Sequence, residues 1–329
     1  MRSAFAKALR ACQNARPCRS QSRSARPPVR PAEVAATSGA GADLPARGAA
    51  PLGPTLVVGS NGRVGAAVSA LLAGAGRVVR GADRVPHGAE PGGRVPLLAD
   101  ACSPDAALAE AVRASSCVVL CLPDGTLPAA IDQILPLLAP GALLVETGSV
   151  KTPVAGRLLR SRDDVELVGI NPMFSPEVGF AGQDVAAVVL RGGPRWSAFL
   201  DVVAGAGARV VELTAEEHDR QTALAQATVH AAILCFGAVV DDAGGVRVST
   251  PPQRALMELV DRVTSRDPAV YWHIQIDNPA AAQARHALGR ALAELEAAVV
   301  AGDEERFVAR FFRRHPPPDA LEVAGAGRA

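Results

Sequence analysis

Four polar residues have neighbours that make them candidates for chemistry: Ser149, Asn171, His230 and Arg254. Ser149 stands in ETGSVKTPV (146–154), Asn171 in GINPMFSPEVG (169–179) and His230 at the far end of EEHDRQTALAQATVH (216–230). Arg254 lies in STPPQRALMELVDRVTSRDPAVYWHIQIDNP (249–279). A hydroxyl can hydrogen-bond a reacting group, an imidazole can give or take a proton near neutral pH, and a guanidinium can grip a carboxylate with two parallel bonds. An asparagine amide has no useful basicity, so it positions a group without taking its proton. Each residue also has an ordinary structural reading: Ser149 as a turn or cap residue, His230 as a satisfied helix histidine, Arg254 as a solvated charge at a helix start. His218 and Asp219 read as first-turn helix residues, Asp267 before Pro268 as an N-cap, and Lys151 as a solvated side chain or a steering charge for an anion.

A second cluster is VGSNGRVG (58–65). Gly59, Gly62 and Gly65 form G-x-x-G-x-x-G, with Ser60 at the first-glycine position of the usual G-x-G-x-x-G. The cluster follows the apolar strand TLVVG and opens a helix, Arg63 to Ala75. A tight turn, close backbone approach and free N–H groups at a helix start make such a loop a pyrophosphate cradle. The expected dinucleotide-binding residues are therefore Gly59, Ser60, Asn61, Gly62, Arg63, Val64 and Gly65. Asp83 closes the next strand, about 20 residues on, where an acid bonds ribose hydroxyls and disfavours a 2′-phosphate. Arg80 and Arg84 leave room for the phosphorylated cofactor, but NAD is favoured. LCLPDGTLP follows another strand end, so Pro123 and Asp124 are candidate walls of the nicotinamide site, or a plain loop turn.

The elements that must position these residues are legible in outline. Short apolar strands at 55–59, 77–83, 117–123, 142–149, 166–173, 185–192 and 208–213 alternate with helical stretches, which predicts a doubly wound, parallel Rossmann-type sheet. After about residue 213 only helical patterns follow, at 214–240, 252–265, 267–276 and 279–301, and Thr214 with Glu217 forms a capping box. The expected organisation is a disordered Arg/Ala/Pro-rich tail at 1–53, a dinucleotide-binding domain at 54–213, a helical substrate and dimerisation domain at 214–315 and a disordered tail at 316–329. The Arg-rich, acid-poor start also fits an organelle transit peptide, a weaker reading.

Of 329 residues, 49% are hydrophobic and 20% charged, with a formal net charge of +1. That balance supports a sizeable core and gives no drive toward nucleic acid or an anionic membrane. No uninterrupted apolar run reaches the ~18 residues of a membrane span. The six cysteines form no paired C-x-x-C arrangement. A reduced, metal-free, cytoplasmic chain is expected.

Taken together and in order, these segments resemble the prephenate dehydrogenase family. ETGSVKTPV is similar to its Asp-x-x-Ser-Val-Lys loop, GINPMFSPEVG to its His-Pro-Met-Phe-Gly-Pro motif, and EEHDRQTALAQATVH to its Glu-His-Asp helix. The 249–279 stretch resembles the one carrying its substrate-binding arginine. The resemblance spans about residues 55 to 300. It implies an NAD-dependent decarboxylating dehydrogenase acting on a small dicarboxylate, and a homodimer formed through the helical domain. It puts Ser149 on the group at the reacting ring carbon, His230 in polar contact with substrate or nicotinamide, and Arg254 on a substrate carboxylate. No regulatory domain is expected after residue 315, nor a chorismate mutase domain before residue 55.

Two positions of GINPMFSPEVG depart from the family's motif. Ser175 replaces the motif's Gly. More consequentially, Asn171 stands where the family has the histidine that takes the ring hydroxyl's proton. A positioned base is worth about 10²–10⁴-fold in rate. A ring amine does not need that base, because its oxidation leaves an iminium that keeps its protons. The departure points to the 4-amino-4-deoxyprephenate dehydrogenase branch, with Ser149, Asn171 and His230 as the catalytic set and Arg254, Ser149 and Asn171 binding substrate. The alternatives are a prephenate or arogenate dehydrogenase with another base, such as His230, and a catalytically silent NAD-binding regulator.

Overall fold

The computed structural model describes residues 52–86, 96–160 and 162–312. Residues 1–51 and 313–329, which carry most of the two expected tails, lie outside the described residues. Leu52, expected in the N-terminal tail, is instead fully buried, and its carbonyl accepts from Ser116 Oγ at 3.1 Å. A single leucine among Pro and Gly has no periodicity to announce it.

Eight strands form one sheet: β1 (Thr55–Val58), β2 (Val79–Asp83), β3 (Leu97–Leu98), β4 (Cys117–Leu120), β5 (Leu143–Glu146), β6 (Glu166–Pro172), β7 (Asp184–Arg191) and β8 (Arg209–Glu212). Their spatial order is β3-β2-β1-β4-β5-β6-β7-β8. The two-residue β3 was not expected. Successive residues of a strand point to opposite faces, and both faces are apolar here. Leu56, Val118, Leu120 and Leu144 join one core cluster, while Val57, Val119, Leu143 and Val145 join the other. Helices α1 (Arg63–Gly74) and α5 (Pro194–Gly205) cover the second face. Helices α2 (Ala106–Arg113), α3 (Leu127–Ile134) and α4 (Thr152–Leu159) cover the first. This is the doubly wound arrangement.

The sheet is not parallel throughout. Strands β1 to β6 are parallel to one another, but β7 runs antiparallel to β6, and β8 is parallel to β7. A parallel crossover needs about a dozen residues or more, usually with a helix. The 173–183 connection holds only a 3-10 turn, Pro176–Val178, so the chain doubles back.

Beyond Thr214 the described chain is helical. Helix α6 (Ala215–Thr222) continues through a π-helical stretch, Ala223–Thr228, into α7 (Val229–Asp242). There follow α8 (Pro251–Thr264), α9 (Pro268–Ile276), α10 (Ala281–Ala301) and α11 (Glu304–Phe311). Thr214 Oγ1 accepts from the Glu217 N–H at 3.1 Å, but the Glu217 side chain bonds Arg220 and Gln221 instead of closing the capping box. Asp267 caps α9 as expected, accepting from the Ala269 N–H. The continuous 28-residue helix Ala215–Asp242 is long and apolar enough to cross a membrane by length and composition. No single apolar run gave that away, because polar residues interrupt it. It packs instead on α8 and α10, through Ile233 with Val260 and Val263 and through Ala227 with Ala281.

The turn after β1 is held by close backbone contact. Gly59 has φ +80°, and a Cβ on Gly65 would lie 2.0 Å from the Gly59 carbonyl oxygen. Backbone cannot yield as a flexible side chain does. Gly65→Ala is expected to destabilise the protein by about 1–3 kcal/mol, measured as a lower midpoint in urea unfolding; an unchanged midpoint contradicts this packing.

Candidate active site

Every candidate in the sheet domain lies at a carboxyl end of a strand: the glycine loop after β1, Asp83 ending β2, Asp124 after β4, Ser149 after β5 and Asn171 next to last in β6. Strand order reverses direction at β1 and β4, which in doubly wound sheets opens a ligand crevice. A cavity of about 410 Å³ occupies that place, lined by Gly59, Asn61, Gly62, Asp83, Arg84 and Pro123 among others.

Asp83 holds the cavity's floor together. The Asn61 N–H donates to its Oδ2 at 2.9 Å and the Val85 N–H to its Oδ1 at 3.1 Å. The Asn61 side chain in turn donates to the Val85 carbonyl. Helix α1 starts at Gly62 with no side-chain cap, so its first N–H groups are open to an anion. Ser60 Oγ is buried with no hydrogen-bond partner among the described residues. An uncapped helix start and a strand-end acid around one cavity fit a dinucleotide. Two expected contacts are narrowed. Val64 packs into the core, leaving only its backbone for a phosphate. The Arg63 guanidinium donates to Ser175 Oγ at 2.8 Å and pairs with Glu177, so it faces the β6–β7 connection. Arg84 lies 4.0 Å from Asp100.

Lys151 organises the substrate end. It was expected to be solvated or to steer an anion; it is 1% exposed. Its Nζ donates to Glu146 Oε1 at 2.7 Å, to the Gly148 carbonyl at 2.7 Å and to the Ile170 carbonyl at 2.8 Å. All three ammonium protons are thereby used. Those carbonyls immediately precede Ser149 and Asn171, so one buried cation draws the two candidates together. Burial raises the Glu146 carboxyl from its ordinary range, and Lys151 opposes that rise. The signal for Glu146 was a single charge ending an otherwise apolar strand.

His218 and Asp219, read from sequence as first-turn residues, form a relay to Asn171. Asp219 Oδ1 accepts from the Lys151 N–H at 2.8 Å and Oδ2 from the Thr152 N–H at 2.8 Å. Burial works to raise the Asp219 carboxyl, but hydrogen bonds from His218, Thr152 and Lys151 outweigh it and hold it below the usual range. An ionised carboxylate only accepts, so His218 Nδ1, 2.9 Å away, must carry the proton. Burial lowers the His218 pKa, which keeps the ring neutral and its Nε2 a lone-pair acceptor. Asn171 Nδ2, at 3.2 Å, therefore donates to Nε2. The relay fixes the amide's orientation and leaves Asn171 Oδ1 as a free acceptor.

Ser149 is fixed as firmly. Its N–H donates to Asp124 Oδ1 at 2.8 Å, and its Oγ–H donates to Asp124 Oδ2. The structure does not bring His230 or Arg254 into this hydrogen-bonded cluster. His230 follows the π stretch, stacks edge-on against Tyr271 with centroids 4.8 Å apart, and has a buried Nδ1 with no hydrogen-bond partner among the described residues. Burial lowers its pKa. Arg254 is exposed at the start of α8, donating to Ser249 Oγ at 3.0 Å. Ser175, unexplained from sequence, accepts from Arg63 and donates to Glu177, tying the glycine loop's helix to the chain beyond Asn171.

Comparison with known proteins finds similar sequences and folds. Residues 214–313 match the family model described as prephenate dehydrogenase, dimerization domain. A 4-amino-4-deoxyprephenate dehydrogenase from Streptomyces pristinaespiralis is 42% identical over 270 residues, covering 80% of this chain and 91% of that one. A T-protein from Enterobacter agglomerans is 26% identical over 268 residues, 80% of this chain and 66% of that one. The crystal structure of prephenate dehydrogenase from A. aeolicus, in complex with hydroxyphenyl propionate and NAD+, shares the fold with TM-score 0.62 at 18% identity, over 84% of this chain and 98% of that one.

Lys151→Met would leave Glu146 buried without its cation. Removing one partner of a buried pair costs about 3–5 kcal/mol. Urea unfolding should show that loss. It should deepen from acid to neutral pH, because the unpaired carboxyl, raised further, favours the folded state only while protonated. A loss under about 1 kcal/mol, the range of an exposed pair, contradicts the assignment.

Proposed function

The chain belongs to the prephenate dehydrogenase family, and from that premise we propose that it converts 4-amino-4-deoxyprephenate to 4-aminophenylpyruvate and carbon dioxide with NAD as oxidant. The observation that carries this reading is the orientation of Asn171: its Oδ1 is a fixed acceptor and no base stands at that position. NAD, when bound, supplies the hydride acceptor. The glycine loop and the start of α1 hold its pyrophosphate, and Asp83 its adenosine ribose hydroxyls.

The protein's own groups act on the substrate's polar ends. Oxidation at a carbon bearing a hydroxyl gives a strongly acidic protonated carbonyl, which calls for a base beside it. Oxidation at a carbon bearing an amine gives an iminium, which keeps both protons, and loss of the neighbouring carboxylate as carbon dioxide returns an electron pair to the ring. Asn171 Oδ1 accepts one amine N–H and holds the nitrogen through both events. Ser149 Oγ accepts another. His230 supplies a polar contact, and Arg254 grips a substrate carboxylate. Arg254 lies on the exposed side of α8, and apolar surface at Trp272, Leu292 and Val299 is also exposed. A homodimer through the helical region covers such surface and completes the substrate site around α8.

Purified protein offered NAD with 4-amino-4-deoxyprephenate, prephenate or arogenate should reduce NAD fastest with the amine, followed by absorbance. Equal or faster turnover of prephenate overturns the reading, and no turnover of any favours a silent NAD-binding regulator. Asn171→His places a ring nitrogen on His218 Nε2 and turns the other toward the substrate. It should raise kcat/KM for prephenate by about tenfold or more, part of the 10²–10⁴-fold a positioned base supplies. Arg254→Ala should raise KM with little change in kcat; an unchanged KM refutes the carboxylate grip.

A further inference from the structure

We propose that Asp124 receives the proton that a ring ammonium must lose before oxidation, and that it does so through Ser149. The inference rests on the amine reading above. A primary amine on a saturated carbon is protonated at neutral pH, as a lysine is with its pKa near ~10.4. An ammonium has no lone pair to drive hydride from its carbon, so the site must take one proton first.

Few groups in the cluster are placed to take it. Asn171 is not basic. His218 spends its Nε2 lone pair on Asn171 Nδ2 and its Nδ1 proton on Asp219. Asp219 is filled by His218 and two backbone N–H groups. Glu146 and Lys151 close on each other in the interior. Asp124 remains. It is only part-buried, beside the cavity wall formed by Pro123 and Thr126, and it has a direct bond to the Ser149 hydroxyl. Gly148 leaves space for it, since a Cβ there would meet Asp124 Oδ1 at 2.8 Å.

The exchange conserves every proton and electron. One ammonium N–H bond breaks as its proton passes to Ser149 Oγ. The serine's own proton passes at once to Asp124 Oδ2, whose carboxylate becomes a carboxylic acid. The nitrogen keeps the released pair and two N–H bonds; once Asp124 has passed its proton on and the Ser149 hydroxyl has turned back to the carboxylate, these face two acceptors, Ser149 Oγ and Asn171 Oδ1. A hydroxyl at the same carbon brings one donor and no charge. The wiring therefore captures an ammonium and releases it as a neutral amine. Asp124 is only part-buried, so it passes its proton on to water before hydride leaves.

Asp124→Asn keeps the side chain's shape, and an unchanged melting curve verifies its fold. At about pH 7, kcat/KM for 4-amino-4-deoxyprephenate should fall by about 10²-fold or more. The loss should shrink to within about tenfold near pH 9.5, where the substrate carries its own neutral fraction. Equilibrium titration of the same substrate without NAD should show weaker binding to the variant at neutral pH. Ser149→Ala should give the same pH-dependent rescue. A loss equal at both pH values, or no loss, overturns this inference and leaves the functional reading standing. Wild-type protein that ignores the amine at every pH overturns both.

Discussion

The substrate end of this protein depends on one buried ammonium. Lys151 is surrounded by Glu146 and two carbonyls, and those carbonyls belong to separate strand ends. A desolvated cation is tolerable only when its charge is balanced and its protons are all accepted. Meeting that condition ties the ends of β5 and β6 to each other, at the carbonyls just before Ser149 and Asn171. The same constraint accounts for Gly169, where a Cβ would lie 2.1 Å from Glu146 Oε1. Lys151 touches no reacting atom. Its backbone N–H also binds Asp219, so the relay behind Asn171 is anchored on the same residue.

From that anchor the polarity of the site follows by elimination. Each group's hydrogen-bonding capacity is largely consumed within the cluster: Asp219 by backbone and His218, His218 by Asp219 and Asn171, the serine proton by Asp124. What remains outward is a pair of lone-pair acceptors. Two replacements in otherwise family-like segments thus have physical explanations. Asn171 is an acceptor by virtue of His218, and Ser175 is a bridge between Arg63 and Glu177.

The cofactor half was legible because its signals are local. A strand, a glycine turn, a helix and a strand-end acid occur within about thirty residues, and periodicity reports each. Strand direction is not a local property, so β7 read as one more parallel strand, although the shortness of 173–183 already argued against a crossover. The substrate half was legible as motifs but not as wiring. Lys151 looks solvated in sequence because its partners come from three places, 146, 148 and 170. His218 and Asp219 look like an ordinary first turn because nothing in the helix period says which β-strand end they meet. Arg254 and His230 were placed by resemblance, and a single protomer sets neither in the hydrogen-bonded cluster.

The π stretch at Ala223–Thr228 has its own consequence. Thr228 Oγ1 bonds the Ala223 carbonyl five residues back, so this turn is wound wider than the helix around it. One residue of an α-helix turns the chain by about 100°, and a single wide turn therefore shifts the phase of everything after it. The stripe of α6 that meets the sheet domain and the stripe of α7 that carries His230 keep separate registers on one rod. Loss of one residue within 223–228 would let the rod close into an unbroken α-helix with His230 still on its present side, whereas an unbroken α-helix of the full sequence would turn His230 away by about 100°.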